Sequence, residues 1–455
     1  MPKIVSLFSG AGGLDLGLYL AGAEIDEFTV ANDILTAPAK TYCLNFGHTL
    51  ALYARTFNEK SYIVNDIKNL DFSTFSPLEG NCIVVGGPPC QDFSVIRGKE
   101  EKRRGIQTLR GKLYSFYVKA LAYLKPIGFI FENVPGLVSA NKGNALKLII
   151  ESLSNPNILE GKAEGIKYKI IFCGILNADN YGVPQKRKRL FIIGIREDII
   201  SLSDDKIQQI VKNAFKKKSS IFSKFPLTPI EVFEGKPLPE LSQIYKDIMH
   251  TYADIAKLLK SPSANNWIEQ VYSNLTFDPV KDYLILNKIE APYSELEKAF
   301  EEHEKILKEL SYYNRPLREL KFQDKSNEVP NEKSEVIERM KRIPPGENYK
   351  FVEGTPFSVK GRGLSLIYRR IHPLIPSNTI VAYGGGGTWG YHYQRERSRL
   401  TNRERARLQT FPDTFLFEGT HTQVRAQIGE AVPPILSKAV AQVFQTVLSI
   451  EKCAV

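Results

Sequence analysis

The first two hundred residues alternate between short apolar runs and longer amphipathic stretches. Lys3–Phe8, Glu27–Asn32, Cys82–Val85 and Gly128–Phe131 read as strands, short runs rich in β-branched or aromatic residues and bounded by turn formers. Between them, Leu14–Leu20, Ala37–Phe46, Tyr114–Leu124 and Asn144–Leu153 repeat apolar positions at helical spacing, with Pro38 tolerated in a first turn. Lys169–Leu176 and Leu190–Ile195 predict a final strand pair. Pro434–Ile450 predicts a helix with Ile435, Leu436, Ala439, Val440, Val443 and Val447 along one side. Such alternation implies an α/β domain built on a mostly parallel sheet with helices on both faces.

From about Asp204 to Pro345 the pattern changes. Ser294–Leu310 and Lys333–Arg342 are dense in Glu and Lys at helical spacing and predict exposed helices. Gln323–Glu332 and the turn Pro344-Pro345-Gly346 read as loop and linker. A chain of 455 residues has room for two domains, one with a full-sized core. No uninterrupted apolar run reaches the length of a membrane span, and the strand starting right after Met1-Pro2-Lys3 leaves no room for a signal peptide. The cysteines Cys43, Cys82, Cys90, Cys173 and Cys453 form no CxxC pair, which argues for a reducing cytosol rather than a disulfide framework or zinc site. The six histidines show no ligand spacing, and no metal is expected.

The net charge of +11 is concentrated. Between Lys360 and Arg407 stand Lys360, Arg362, Arg369, Arg370, Arg395, Arg397, Arg399, Arg403, Arg405 and Arg407, opposed only by Glu396 and Glu404. A solvated face is the plain explanation of a charge run. Here Tyr368, Tyr383, Trp389, Tyr391, Tyr393 and Gly384–Gly387 interleave with it, which favours a nucleic-acid partner.

Two turns carry candidate chemistry. Gly86-Gly87-Pro88-Pro89 ends a buried strand and presents the thiol of Cys90 where open α/β sheets bind ligands. Phe8-Ser9-Gly10-Ala11-Gly12-Gly13 lets backbone approach a ligand at a helix start. Asp33 closes the second strand, where a carboxylate either accepts two ribose hydroxyls or caps the next helix.

Further motifs follow in order: Phe131-Glu132-Asn133-Val134, then Gln185-Lys186-Arg187-Lys188-Arg189, the basic stretch Arg399–Asp413, and Gln427-Ile428-Gly429-Glu430-Ala431-Val432-Pro433-Pro434. In this order and spacing the chain resembles the DNA (cytosine-5) methyltransferase family, of the kind paired with bacterial restriction enzymes, over about residues 1–197 and 376–447. The resemblance implies an S-adenosylmethionine-dependent, Rossmann-like sheet with a second, smaller target-recognition domain. Residues 1–200 plus 421–455 form the first, and 201–420 the second, with a charged helical insert at about 235–345.

The resemblance also implies roles. Phe8, Gly10, Gly12, Gly13 and Leu14 hold the methionine part of S-adenosylmethionine, Asp33 its ribose, and Asp66 and Ile67 its adenine. Ile34 stands where many relatives carry an aromatic; Pro88, Leu113, Glu430 and Ala431 complete the cofactor site, with Glu430 in place of the usual Asn. Cys90 is the nucleophile toward carbon 6 of cytosine, and Glu132 supplies a proton or strong hydrogen bond at ring nitrogen 3, a task that needs surroundings able to raise its pKa. Arg187 and Arg189, alternating along a strand, face the target cytosine and brace that carboxyl, Asn133 orients the loop, and Lys186 and Lys188 point to solvent. Cys43, Cys82 and Cys173 are core residues. Ser94, Arg97, Arg369, Arg370, Arg403 and Arg407 meet double-stranded DNA, from which the cytosine is flipped, under a basic loop that begins at Ser94. A monomer in the bacterial cytoplasm, associated with the nucleoid and matched to a restriction endonuclease, fits this picture. RNA cytosine methylation and a catalytically silent DNA-binding regulator are the rival readings, the second disfavoured by the presence of Cys90 and Glu132. Gly87-Pro88-Pro89-Cys90 disfavours methylation of exocyclic amines.

Overall fold

A computed structural model describes residues 2–89, 113–160, 165–359, 367–384, 388 and 390–454. Contacts divide the chain into two compact units, one of 1–178, 188–219 and 431–455, the other of 179–187 and 220–430.

The first unit is built on an eight-stranded sheet: β1 (Lys3–Leu7), β2 (Phe28–Asp33), β3 (Thr49–Leu52), β4 (Ser61–Val64), β5 (Cys82–Gly86), β6 (Gly128–Asn133), β7 (Tyr168–Asn177) and β9 (Lys188–Arg196). Their spatial order is β3-β4-β2-β1-β5-β6-β9-β7, parallel from β3 to β6 and antiparallel at β9 and β7. The central strands are buried on both faces, as crossover helices require. These helices are α1 (Gly13–Leu20), α2 (Thr36–Phe46), α3 (Tyr114–Leu124), α4 (Gly136–Ser139) and α5 (Asn144–Ser154). Strand order reverses at β1, whose two neighbours are β2 and β5, so the crevice at its carboxyl end is where such a sheet admits a ligand. The last helix, α16 (Pro434–Ala454), returns to this unit. Ser437 Oγ donates to Leu14 O at 2.6 Å, and a side chain at Gly17 would collide with Ser437. The Glu451 carboxylate receives Ser201 N at 2.9 Å and Leu202 N at 3.1 Å.

The anticipated strands and helices of this unit are present within a residue or two at most ends. β3 and β4 were not anticipated. Cys82 is buried, whereas Cys173 is exposed and Cys43 half-buried. β7 is an edge strand paired only with β9, so the expected burial of Cys173 does not hold.

The boundary also moves. Helix α6 (Asp204–Ser219) packs with the first unit, burying Ile207, Val211 and Phe215, while α15 (His421–Glu430) belongs to the second. The second unit is mainly helical: α7 (Pro229–Glu234), α8 (Ser242–His250), α9 (Ile255–Leu259), α10 (Pro262–Gln270), α11 (Pro279–Asn287), α12 (Tyr293–Glu309), α13 (Ser334–Met340) and α14 (Asn402–Leu408) precede α15. A short parallel pair joins β8 (Gln185–Lys186) to β10 (Ser377–Asn378). The charged α12 is exposed on one face but buries Leu296, Ala299, Phe300, His303 and Leu307 on the other. His303 Nδ1 meets Glu231 at 2.8 Å and its Nε2 meets Phe225 O at 2.9 Å, pinning α12 to α7.

Candidate active site

At the carboxyl end of β1 the chain turns through Phe8 and Gly10, both at positive φ, and enters α1 through Gly12 at φ 89°. An aromatic residue such as Phe8 in the left-handed region is unusual and marks a conformation imposed by its surroundings. No side chain caps α1, so its first N–H groups are not occupied by a cap. A Cβ at Gly12 would sit 2.7 Å from the Phe46 ring and 2.8 Å from Tyr42. The neighbouring β2 delivers Asp33, whose Oδ2 accepts Gly10 N at 3.1 Å and whose Oδ1 accepts Ile34 N at 2.6 Å and Leu35 N at 3.1 Å. Burial pushes the Asp33 pKa up, and the bonds from Leu35, Gly10 and Ile34 oppose it. Asp33 therefore ties the glycine loop to the turn that leads into α2.

Ile34 is 62% exposed, an apolar side chain left open beside Asp33. Asp66, after β4, accepts Lys68 N at 3.1 Å and pairs with Lys68 Nζ at 2.9 Å. Ile67, anticipated as a surface for the adenine ring, is buried in the core beside Leu70 and Phe72 instead. Pro88 is buried, and Leu113 packs partly buried at the start of α3. Gly13 and Leu14 are buried in the first turn of α1. Glu430 ends α15, exposed, and Ala431 follows it half-buried.

The second cluster forms where β5 and β6 end side by side. Gly86 has no room for a side chain against Leu7 O, and one at Gly87 would collide with the Glu132 carboxyl. Asn133 Nδ2 donates to Pro88 O at 3.1 Å while its Oδ1 accepts Val134 N at 2.9 Å, so the end of β6 clamps the Pro-Pro turn. Arg189, at the start of the antiparallel β9, places Nε 2.8 Å from Glu132 Oε1, with the two side chains 14% and 12% exposed. Burial lowers the Arg189 pKa and the Glu132 charge works against that, so the pair is mutually dependent. Cys90, Ser94 and Arg97 lie outside the described residues.

Other expectations are corrected. Arg187, expected to face the target cytosine, is buried in the second unit and donates to Ile380 O at 3.1 Å and Gly429 O at 2.8 Å. Arg370, Arg403 and Arg407, expected on DNA phosphates, are fully buried. Arg370 donates to Ile343 O at 2.6 Å and Gln394 O at 2.7 Å. Arg403 pairs with Asp324 at 2.7 Å and donates to Ser326 Oγ at 2.9 Å. Arg407 grips both oxygens of Asp413, at 3.0 and 2.5 Å, and donates to Val232 O at 2.6 Å. Guanidinium forks hold carboxylates and carbonyls as readily as phosphates, and here they staple the fold. Arg369 is half-buried and keeps its candidacy. Lys186 and Lys188 are exposed as anticipated. Asn133, given only an orienting role, proves to be the clamp between the two turns. The cluster of Asp15, Tyr42 and Tyr62 behind the glycine loop went unnoticed.

No helix among the described residues is long and apolar enough to cross a membrane. The model of the C-5 cytosine-specific DNA methylase family matches residues 2–446. The chain is 48% identical to the DNA (cytosine-5-)-methyltransferase M.ApeKI of Aeropyrum pernix, over 98% of each chain. It is 31% identical to the type II methyltransferase M.NgoFVII of Neisseria gonorrhoeae, over 97% of this chain and 87% of that one. Among solved structures, a prophage-encoded DNA modification methyltransferase from E. coli aligns over 99% of this chain and 100% of its own with a TM-score of 0.55 at 20% identity, a likeness of fold. With a glycine loop beside an acidic strand end, a glutamate–arginine pair beside a Pro-Pro turn, and a family match over nearly the whole chain, the protein belongs to the C-5 cytosine-specific DNA methylase family and is a DNA (cytosine-5-)-methyltransferase.

Proposed function

We propose that this enzyme methylates carbon 5 of a cytosine flipped out of duplex DNA within a defined sequence, through a transient bond from Cys90 to ring carbon 6. The observation that carries the reading is the convergence on one sheet end of Glu132, its partner Arg189 and the clamped Pro88 turn that leads to Cys90. The Cys90 thiolate adds to carbon 6, the ring electron pair moves toward nitrogen 3, and Glu132 in its protonated form delivers its proton there, becoming the carboxylate that pairs with Arg189. Arg189 fixes the Glu132 carboxyl so that it need not reorganise as that charge appears. Carbon 5, now enamine-like, becomes nucleophilic toward a methyl donor. A water molecule then takes the carbon 5 proton, the thiolate departs from carbon 6, and nitrogen 3 returns its proton to Glu132, which restores the ring.

S-adenosylmethionine supplies an electrophilic methyl group when bound. The residues present fit it: a Cβ at Gly10 would meet nothing within 4 Å, the start of α1 carries no side-chain cap, and Asp33 ends β2. Phe8, Gly10, Gly13 and Leu14 would hold its amino-acid part, and Asp33 and the exposed Ile34 its nucleoside. Arg369 and the basic loop from Ser94 are the cationic groups we assign to the phosphate backbone. The type II names of its relatives support a protective role against a restriction endonuclease of the same specificity.

The test is bisulfite sequencing of DNA from cells expressing the chain, beside transfer to purified duplex DNA and to transfer RNA. One methylated sequence motif in DNA is expected. Transfer to RNA alone would overturn the reading.

A further inference from the structure

Behind the glycine loop lies a polar cluster that the proposed chemistry does not use. Asp15, in the first turn of α1, is fully buried, yet its two oxygens each receive a hydroxyl: Ser6 Oγ at 2.9 Å and Tyr42 OH at 3.0 Å. The Tyr42 ring occupies the space beside Gly12, stacks on Phe46 at 4.3 Å and meets Tyr62 edge-on at 5.1 Å. Tyr62 OH in turn donates to Gly10 O at 2.9 Å, and Ser9 Oγ donates to Ser6 O at 3.0 Å. The loop from Ser9 to Gly12 is therefore held from beneath by groups that converge on one carboxyl. A buried charge is costly, and an apolar residue would fill the same space at lower cost.

We propose that Asp15 is a positioning residue for the cofactor: as a carboxylate it fixes Tyr42 and Ser6, and through them the shape of the loop that binds S-adenosylmethionine. The proposal rests on the cofactor reading above. Both oxygens accept, so a proton on either forces Tyr42 or Ser6 to turn round, and the bond that sets the Tyr42 ring is lost or reversed. Cofactor affinity then follows the charge on Asp15.

Burial raises the Asp15 pKa to about 6, against the bonds from Ser6 and Tyr42. The groups facing the cluster do not obscure that transition. Burial holds Tyr42 and Tyr62 well above the ordinary tyrosine range and Cys43 at about 11, so all three stay neutral. His48, edge-on to Tyr42 at 5.1 Å, is lowered to about 4 by burial and is also neutral. α16 presents the uncharged Ser437 to α1. Asp33, across the loop, also titrates upward of its usual range and contributes its own pH dependence. A variant at position 15 separates the two.

The experiment is calorimetric titration of the full-length protein with S-adenosylmethionine from about pH 5 to pH 8, with duplex affinity and melting temperature measured in parallel. Asp15→Ala and Tyr42→Phe should each weaken cofactor binding roughly tenfold at neutral pH, the scale of one hydrogen bond to a charged group, and leave duplex affinity unchanged. Asp15→Asn, which can keep one bond and reverse the other, should lose less affinity, lose the wild-type fall in affinity below about pH 6, and melt higher than wild type at neutral pH. A residue that merely supports the fold gives no variant that is more stable yet binds cofactor less well. Wild-type affinity in folded Asp15→Ala and Tyr42→Phe, or an unaltered pH profile in Asp15→Asn, overturns the proposal. If the wild-type protein binds no S-adenosylmethionine at any pH, the cofactor reading itself falls and takes this one with it.

Discussion

Arg407 is the position where charge and geometry give opposite forecasts. A phosphate-binding arginine on the surface, replaced by alanine, would change stability by less than about 0.5 kcal/mol and reduce the salt slope of DNA binding by about 0.9. The observed Arg407 is fully buried, holds Asp413 with both prongs of its fork, and donates to the carbonyls of Val232 and Arg315, the latter at 2.9 Å. Its removal strips a buried carboxylate of its bidentate partner, leaving the half-exposed Arg315 at 4.0 Å and the more distant charge of Arg403. Breaking a buried ion pair costs about 3–5 kcal/mol, and the orphaned carbonyls keep the figure from falling below that range. Arg407→Ala should therefore lose about 4 kcal/mol in urea unfolding, with an unchanged salt slope at temperatures where the variant is folded. Arg407→Met combined with Asp413→Leu should recover most of the loss, because no charge is then left buried alone. An Arg407→Ala protein with wild-type stability and a flattened salt slope would refute the reasoning.

Four further outcomes follow from the same structure. Cys90→Ala should abolish methyl transfer while leaving S-adenosylmethionine affinity within about twofold, and wild type should cross-link through Cys90 to a duplex bearing 5-fluorocytosine, as read by mass spectrometry. Gly12→Ala should remove cofactor binding, since the new carbon meets Phe46 and Tyr42 at a φ of 89° that costs an L residue about 1–2 kcal/mol. Asn133→Ala unties β6 from the Pro88 carbonyl and should lower kcat roughly fivefold, about 1 kcal/mol, with the cofactor KM unchanged. For Asp15, the folded chain binds its proton more tightly than the unfolded chain, with a pKa of about 6 against 3.8. Its contribution is therefore fully present below about pH 4 and declines as pH rises through 6, by about 3 kcal/mol in all. The melting temperatures of wild type and Asp15→Asn should diverge over that interval, with the variant higher at the alkaline end.

Much of the first unit was legible because its local and long-range signals agree. Tyr114–Leu124 is a helix at its anticipated residues, and the apolar runs at Lys3, Cys82 and Gly128 are strands because each is buried on both faces. β3 escaped notice because it lies at the sheet edge, where Thr49–Leu52 needs neither alternation nor a continuous apolar run. Cys173 misled for the related reason that Lys169–Leu176 is apolar in sequence yet borders solvent. The arginines show a deeper limit. A count of cations says nothing about where their anions stand, and Asp324 lies 79 residues from Arg403. Asp413 is only six residues from Arg407, but every residue of α14 is buried although Arg403, Glu404, Arg405 and Arg407 are charged, so no apolar pattern announced an internal helix. Asp15 gave less warning still, because a lone acid in a first turn ordinarily serves the helix dipole.

Position 87 shows how a reaction centre depends on matter that is missing. The hydrogen that serves as the side chain of Gly87 leaves the hollow into which Glu132 fits, and even one methyl group there would displace the acid from its arginine. An alanine in this place would leave every reacting group in the sequence and still oblige the Glu132 carboxyl to move, a change that no inventory of functional side chains would foresee.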